Sequence, residues 1–113
     1  MQFLIILAGL AAIVPVASAG ELRLFADKNF NGARITFQFG KTDRCLSLAG
    51  GMVHLDRKVS SYLLAGCCRF FSAYNCPSNV GAVLFTRREN SASTLLPDVY
   101  NDKIRSIKCY DCQ

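Results

Sequence analysis

Cys45, Cys67, Cys68, Cys76, Cys109 and Cys112 are the side chains with the most chemistry to offer in this sequence. An even number of cysteines in a short chain points to a disulfide framework, and three bridges are expected. Six cysteines allow many connectivities and the sequence chooses none, but on a strand Cys67 and Cys68 would point to opposite faces and so serve different partners. Cys109-x-x-Cys112 could open a zinc site, yet the chain has no second such pair and its single histidine, His54, is far away in sequence. Nucleophilic catalysis needs a base, and His54 stands alone between Val53 and Leu55. Glycosidase chemistry needs two convergent carboxylates, and Glu21, Asp27, Asp43, Asp56, Glu89, Asp98, Asp102 and Asp111 show no such pairing. With no phosphate-cradling glycine loop either, no enzyme and no resident cofactor are expected.

Lys and Arg number 13 against 8 acids, a formal net charge of +5. The bases are scattered apart from Arg57-Lys58 and Arg87-Arg88, and adjacent charges on a strand face opposite ways. Such a surface reads first as one that keeps a protein soluble, and no partner is named by it; the alternative is attraction to an anionic cell wall or membrane surface, which the net charge would assist. A nucleic-acid partner is not expected, because no dense basic stripe is present. Arg87-Arg88 reads as a strand end, since processing there would sever a hairpin of a small core.

The elements that must carry these residues begin after residue 19. Met1 to Ala19 is an apolar run closing on Ala17-Ser18-Ala19, the pattern of a secretory signal peptide cleaved before Gly20. Residues 20–113 retain every charge and every cysteine, and form one small domain that needs covalent staples to supplement its core. No Asn-x-Ser/Thr acceptor occurs. Residues 33–39, ARITFQF, alternate with Ile35, Phe37 and Phe39 on one face, the period of a half-buried strand. Further short strands are predicted at 21–27, 44–49, 60–66, 68–74, 82–88, 104–110 and, weakly, 93–96, with a short helical turn near Leu95–Asp98. About eight strands and no amphipathic helix give an all-β sandwich.

The chain is also internally repeated. Phe25 and Gly32 open a first half that Asp56–Leu64 closes, and Phe71 and Gly81 open a second that Asn101–Cys109 closes. An aromatic ending the first strand, a second aromatic and a glycine in the following hairpin, and a serine on the fourth strand resemble the βγ-crystallin Greek key. Phe25, Phe30, Gly32 and Ser61 match it in the first half. In the second, Phe71 or Tyr74 stands for the first aromatic, Gly81 for the glycine and Ser106 for the serine, with Cys76 near the second aromatic position. The resemblance implies two Greek-key motifs, about 21–66 and 67–113, whose hairpins fold back over the sheet. There a glycine takes a backbone shape costly for other residues, an aromatic covers the loop, and the serine satisfies its buried backbone groups.

The resemblance further implies calcium bound by a segment of the form acid/Asn, acid/Asn, x, x, Ser/Thr, Ser on each motif. Asp56-Arg57-Lys58-Val59-Ser60-Ser61 keeps Asp56 and Ser60 but has Arg57 at an oxygen position; Asn101-Asp102-Lys103-Ile104-Arg105-Ser106 keeps Asn101 and Asp102 but has Arg105 where the hydroxyl belongs. A cation wanting six to eight oxygens is poorly served beside a guanidinium, so no tight calcium site is expected; any binding that survives would be weak and at the second segment, through Asp102. The function implied is a non-catalytic secreted structural or surface component with degenerate calcium sites; the family's small cysteine-rich members also admit a cationic antimicrobial, killer-toxin-like or host-directed effector role. Intact mass of secreted protein is expected to start at Gly20 and fall six hydrogens short of the reduced chain; a titratable thiol or a Met1 terminus would contradict this.

Overall fold

The computed structural model describes residues 20–50 and 54–112; the leader expected at 1–19 lies outside them. Eight strands form: β1 Gly20–Asp27, β2 Asn31–Phe39, β3 Arg44–Ser47, β4 Ser61–Ala65, β5 Cys67–Phe71, β6 Val83–Arg87, β7 Ser91–Ser93 and β8 Ser106–Tyr110. They make two four-stranded antiparallel sheets, ordered β2-β1-β4-β7 and β3-β8-β5-β6. The third strand of each half sits in the sheet of the other half, so neither half can bury its apolar face alone. At Gly66, whose φ is 136°, the chain passes from one sheet to the other; a Cβ there would press into the Phe39 ring.

The inward residues of both sheets make one core, with Leu22, Leu24, Phe37, Phe39, Tyr62 and Leu64 facing Phe70, Phe85, Ile107 and the Cys68–Cys109 bridge. Phe70 stacks on Phe85 at 4.2 Å, and Tyr62 lies 5.4 Å from Phe70. Offset aromatic contacts of this kind add ~0.5–1.5 kcal/mol beyond the area they bury. Two predicted elements moved. The weak strand expected at 93–96 occupies Ser91–Ser93, because Leu96 turns inward and donates its N–H to Ser60 O. The helical turn expected near 95–98 lies later, where Tyr100 and Asn101 N–H groups both reach Pro97 O at 2.8 Å.

The two halves are related by an approximate two-fold that the register makes explicit. Phe25 on β1 opposes Ser61 on β4, and Phe71 on β5 opposes Ser106 on β8. Phe71, not Tyr74, is therefore the counterpart of Phe25. Four residues on stand Asn29 and Asn75, and five on stand Phe30 and Cys76, all with left-handed φ of 58°, 63°, 61° and 46° in that order. Ser61 Oγ accepts from Phe30 N at 3.1 Å and donates to Asp27 O at 2.6 Å; Ser106 Oγ accepts from Cys76 N at 2.9 Å and donates to Ala73 O at 2.5 Å.

The hairpins differ in what covers them. Phe30 lies against Phe25 at 5.6 Å, whereas Cys76 is bonded to Cys45 on β3. Seven residues beyond each first aromatic stand Gly32, with φ of 83°, and Ser78. Gly81 sits instead in the 3-10 turn Val80–Ala82 without a positive φ, its N–H held by Asn79 Oδ1 at 2.9 Å. Gly81 is thus not the counterpart of Gly32: the longer second loop places it beyond the fold-back. The third bridge, Cys67–Cys112, ties the tail to β5, so each of the three disulfides has at least one half-cystine on a strand of the second sheet. Gly32→Val is expected to lower stability by ~1–3 kcal/mol through its left-handed backbone, and Lys41→Val by much less; urea denaturation of the two variants measures the difference.

Candidate functional site

The segments 56–61 and 101–106 meet across the approximate two-fold. Arg57 N–H donates to Ile104 O at 3.0 Å, and Asp102 N–H to Val59 O at 3.2 Å. The same relation pairs Ser60 N→Phe25 O with Arg105 N→Phe71 O, both 2.9 Å, and Leu96 N→Ser60 O with Leu48 N→Arg105 O. Asp56 therefore corresponds to Asn101, Arg57 to Asp102, and Ser60 to Arg105. Arg57 and Asp102 both hold left-handed backbone, with φ of 57° and 61°. Aspartate tolerates that shape far better than arginine does.

This correspondence sorts the substituted positions in a way no linear reading shows. Ser60 of the first motif and Asp102 of the second converge, with Ser60 Oγ donating to Asp102 Oδ1 at 3.4 Å. The equivalent pair on the other side is Arg105 and Arg57. The sequence puts one arginine in each segment; the tertiary arrangement assigns both to one side and leaves the other with a hydroxyl and a carboxylate.

The arginine side is filled by protein. Arg105 lies over the Tyr74 ring, 5.4 Å from its centroid, and the Tyr74 hydroxyl donates to Asp56 Oδ2. That hydrogen bond to a carboxylate, with Asp56's charge adding to it, pushes the phenol above its ordinary range, and Arg105 and Arg57 oppose the shift. Tyr74 had signalled only a possible hairpin aromatic, and nothing in its spacing marks it as a partner of Asp56.

On the oxygen side a hard cation finds Ser60 Oγ and Asp102 Oδ1 already convergent. In the same loop Asn101 Oδ1 is buried without a hydrogen-bond partner, as is its counterpart Asp56 Oδ1. A buried acceptor left unpaired costs ~1–3 kcal/mol, so these oxygens are poised for a donor or a cation. Among the described residues no group of three His, Cys, Asp or Glu comes together, and further ligands would have to be backbone carbonyls and water. The residues fit a weakly bound calcium ion held by Ser60 and Asp102, and do not fit one at Arg57 and Arg105. His54 is exposed in the turn at 54–58.

Comparison with solved structures identifies the architecture. A βγ-crystallin from an archaeon superposes with a TM-score of 0.61 at 17% identity, covering 80% of this chain and 98% of its own. A βγ-crystallin from Ciona intestinalis gives 0.58 at 18%, covering 79% and 98%, and a domain from Flavobacterium johnsoniae gives 0.55 at 22%, covering 80% and 94%. No family model matches the sequence, and no curated protein sequence matches it. At these identities the likeness establishes the fold: this chain is a βγ-crystallin-type double Greek key.

Because the fold raises the Tyr74 pKa, its contribution is fully present below the unfolded value of ~10 and is lost as pH rises through the folded value. Ultraviolet titration is expected to show Tyr74 ionising later than a free phenol. Asp56→Asn should bring that transition down, and Tyr74→Phe should remove it.

Proposed function

We propose that the chain is a secreted, non-catalytic extracellular structural or surface component that keeps one of two cation sites in weakened form. The observation that carries this reading is the sorting of the motif residues, with Ser60 and Asp102 on one side and Arg57 and Arg105 on the other. Three disulfides support an oxidising compartment, where such bridges persist. Solved structures that share the fold include βγ-crystallin domains, and the chain's chemistry-bearing side chains are spent on structure: the cysteines on bridges, the serines on hairpins.

Two convergent side-chain oxygens carrying a single negative charge place calcium affinity in the ~10⁻⁴–10⁻³ M range of extracellular modules. Arginine at the other side blocks a second ion outright, because a guanidinium stays charged at any physiological pH and offers no lone pair. The domain is therefore stable without calcium, through its bridges, and responds only to the high calcium concentrations found outside cells.

Calorimetry is expected to find one weak calcium site in the wild type. At tenfold excess over the dissociation constant the ion should stabilise the fold by about 1.4 kcal/mol, seen as a rise in melting temperature. Asp102→Ala should abolish that rise. Arg57→Asp combined with Arg105→Ser should add a second site. Micromolar binding by the wild type, or binding that survives Asp102→Ala, would overturn the reading.

A further inference from the structure

The outward face of the second sheet carries cations that the fold does not neutralise. Lys108 on β8, Arg69 on β5 and Thr86 on β6 stand directly opposite one another across three strands. Like charges facing each other on neighbouring strands are destabilising. The ion pairs found among the described residues, Arg23–Glu21 and Lys41–Asp111, include neither of these cations. Beside the row, Arg88 follows the end of β6, its carbonyl met by the Cys112 Sγ of the Cys67–Cys112 bridge at 3.7 Å.

The two-fold shows what this face would look like without such a concentration of charge. Arg69 corresponds to Arg23, Cys67 to Glu21 and Lys108 to Leu63. In the first sheet Arg23 is paired with Glu21 at 2.7 Å, its charge met within the fold, and faces an apolar Leu63. In the second sheet the position of the neutralising glutamate is a half-cystine, and a lysine stands where the leucine was. Both differences add net positive charge to the same spot.

That spot is concave. A cavity of about 150 Å³ is lined by Arg69, Arg87, Arg88 and Lys108, with Thr86 and Asp43 also at its wall. Four cations there outnumber one carboxylate. Arg87 is already engaged, its Nε donating to Tyr62 Oη at 3.1 Å and its Nη1 to Thr86 O at 3.0 Å. Arg69, Arg88 and Lys108 remain for a ligand.

We propose that this cavity binds a phosphate monoester, with Arg69, Lys108 and Arg88 as its cationic ligands and the Thr86 hydroxyl as a further donor. The volume accommodates one tetrahedral oxyanion with water. A phosphate monoester carries a charge of about −1.5 to −2 at neutral pH, so it answers three cations better than a carboxylate or a sulfate ester does. Arginine's planar fork matches two of its oxygens at once, while lysine contributes a point charge. The bound anion also relieves the repulsion between Arg69 and Lys108, which makes the face more stable when occupied than when empty.

The oxidised mature chain is titrated with inorganic phosphate by calorimetry at low salt, and its melting temperature is followed in parallel. Saturable binding is expected, weakening by about tenfold or more in Arg69→Ala and in Lys108→Leu, each of which removes a charge-assisted hydrogen bond. Arg23→Ala on the first sheet should leave it unchanged. Without phosphate, Lys108→Leu should melt no lower than the wild type, because it installs the residue that the first sheet carries at Leu63; this separates loss of binding from loss of fold. Vesicles of phosphatidic acid in phosphatidylcholine distinguish the source: co-sedimentation competed by inorganic phosphate assigns the site to a lipid headgroup, and phosphate binding without co-sedimentation assigns it to a soluble monoester. Absence of saturable phosphate binding, or affinity unchanged in both variants, overturns the proposal.

Discussion

Two buried serine hydroxyls hold the architecture together. Ser61 and Ser106 are fully buried, and each bridges its own strand to a hairpin folded back over the sheet. The N–H each accepts belongs to a residue with left-handed backbone, Phe30 or Cys76, a conformation that persists only when its surroundings over-determine it. Without the hydroxyl, one N–H and one carbonyl in each loop would lose their partner at ~1–3 kcal/mol apiece. The same loops reach across to the other motif, Asn29 N–H to Thr94 O and Asn75 N–H to Ser47 Oγ. Each hairpin thereby helps to fix the strand that the other half has lent to its sheet.

On that shared scaffold the two halves have diverged in how they are closed. The first sheet relies on packing, with Phe30 against Phe25 and an internal Arg23–Glu21 pair. Disulfides replace both devices in the second: Cys76 stands where Phe30 would, and Cys67 where Glu21 would. A bridge stabilises by ~2–4 kcal/mol, whereas a facing pair of like charges costs ~0.2–1 kcal/mol. Three bridges anchored on one sheet therefore leave ample margin for Arg69 and Lys108 to face each other. Covalent closure and surface charge are linked here, since the sheet that is stapled is also the one able to carry unpaired cations.

The loops between the sheets show the same asymmetry at smaller scale. Asp56 and Asn101 are equivalent positions, and each keeps a buried oxygen without a partner. Around Asp56 the surroundings have become Arg57, Arg105 and Tyr74, so its other oxygen is engaged by a phenol. Around Asn101 they remain Ser60 and Asp102. A hydrogen bond and a cation over an aromatic ring tie the Asp56 loop together there.

Strand content was legible in the sequence because alternation is a local property: Phe37 and Phe39 face inward together for the same reason that Gln38 faces out. So were the separate partners of Cys67 and Cys68, since adjacent strand residues cannot point the same way; they bond to Cys112 and Cys109 respectively. What the sequence alone could not decide was everything set by one half meeting the other. The choice of Phe71 over Tyr74, the displacement of Gly81, the pairing of Cys45 with Cys76 and the gathering of both arginines on one side all follow from cross-strand register and from the reciprocal bonds Arg57–Ile104 and Asp102–Val59. Local pattern dictates which face a side chain takes. Which distant side chain it then meets depends on packing two twisted sheets around one core, and only the tertiary structure settles that.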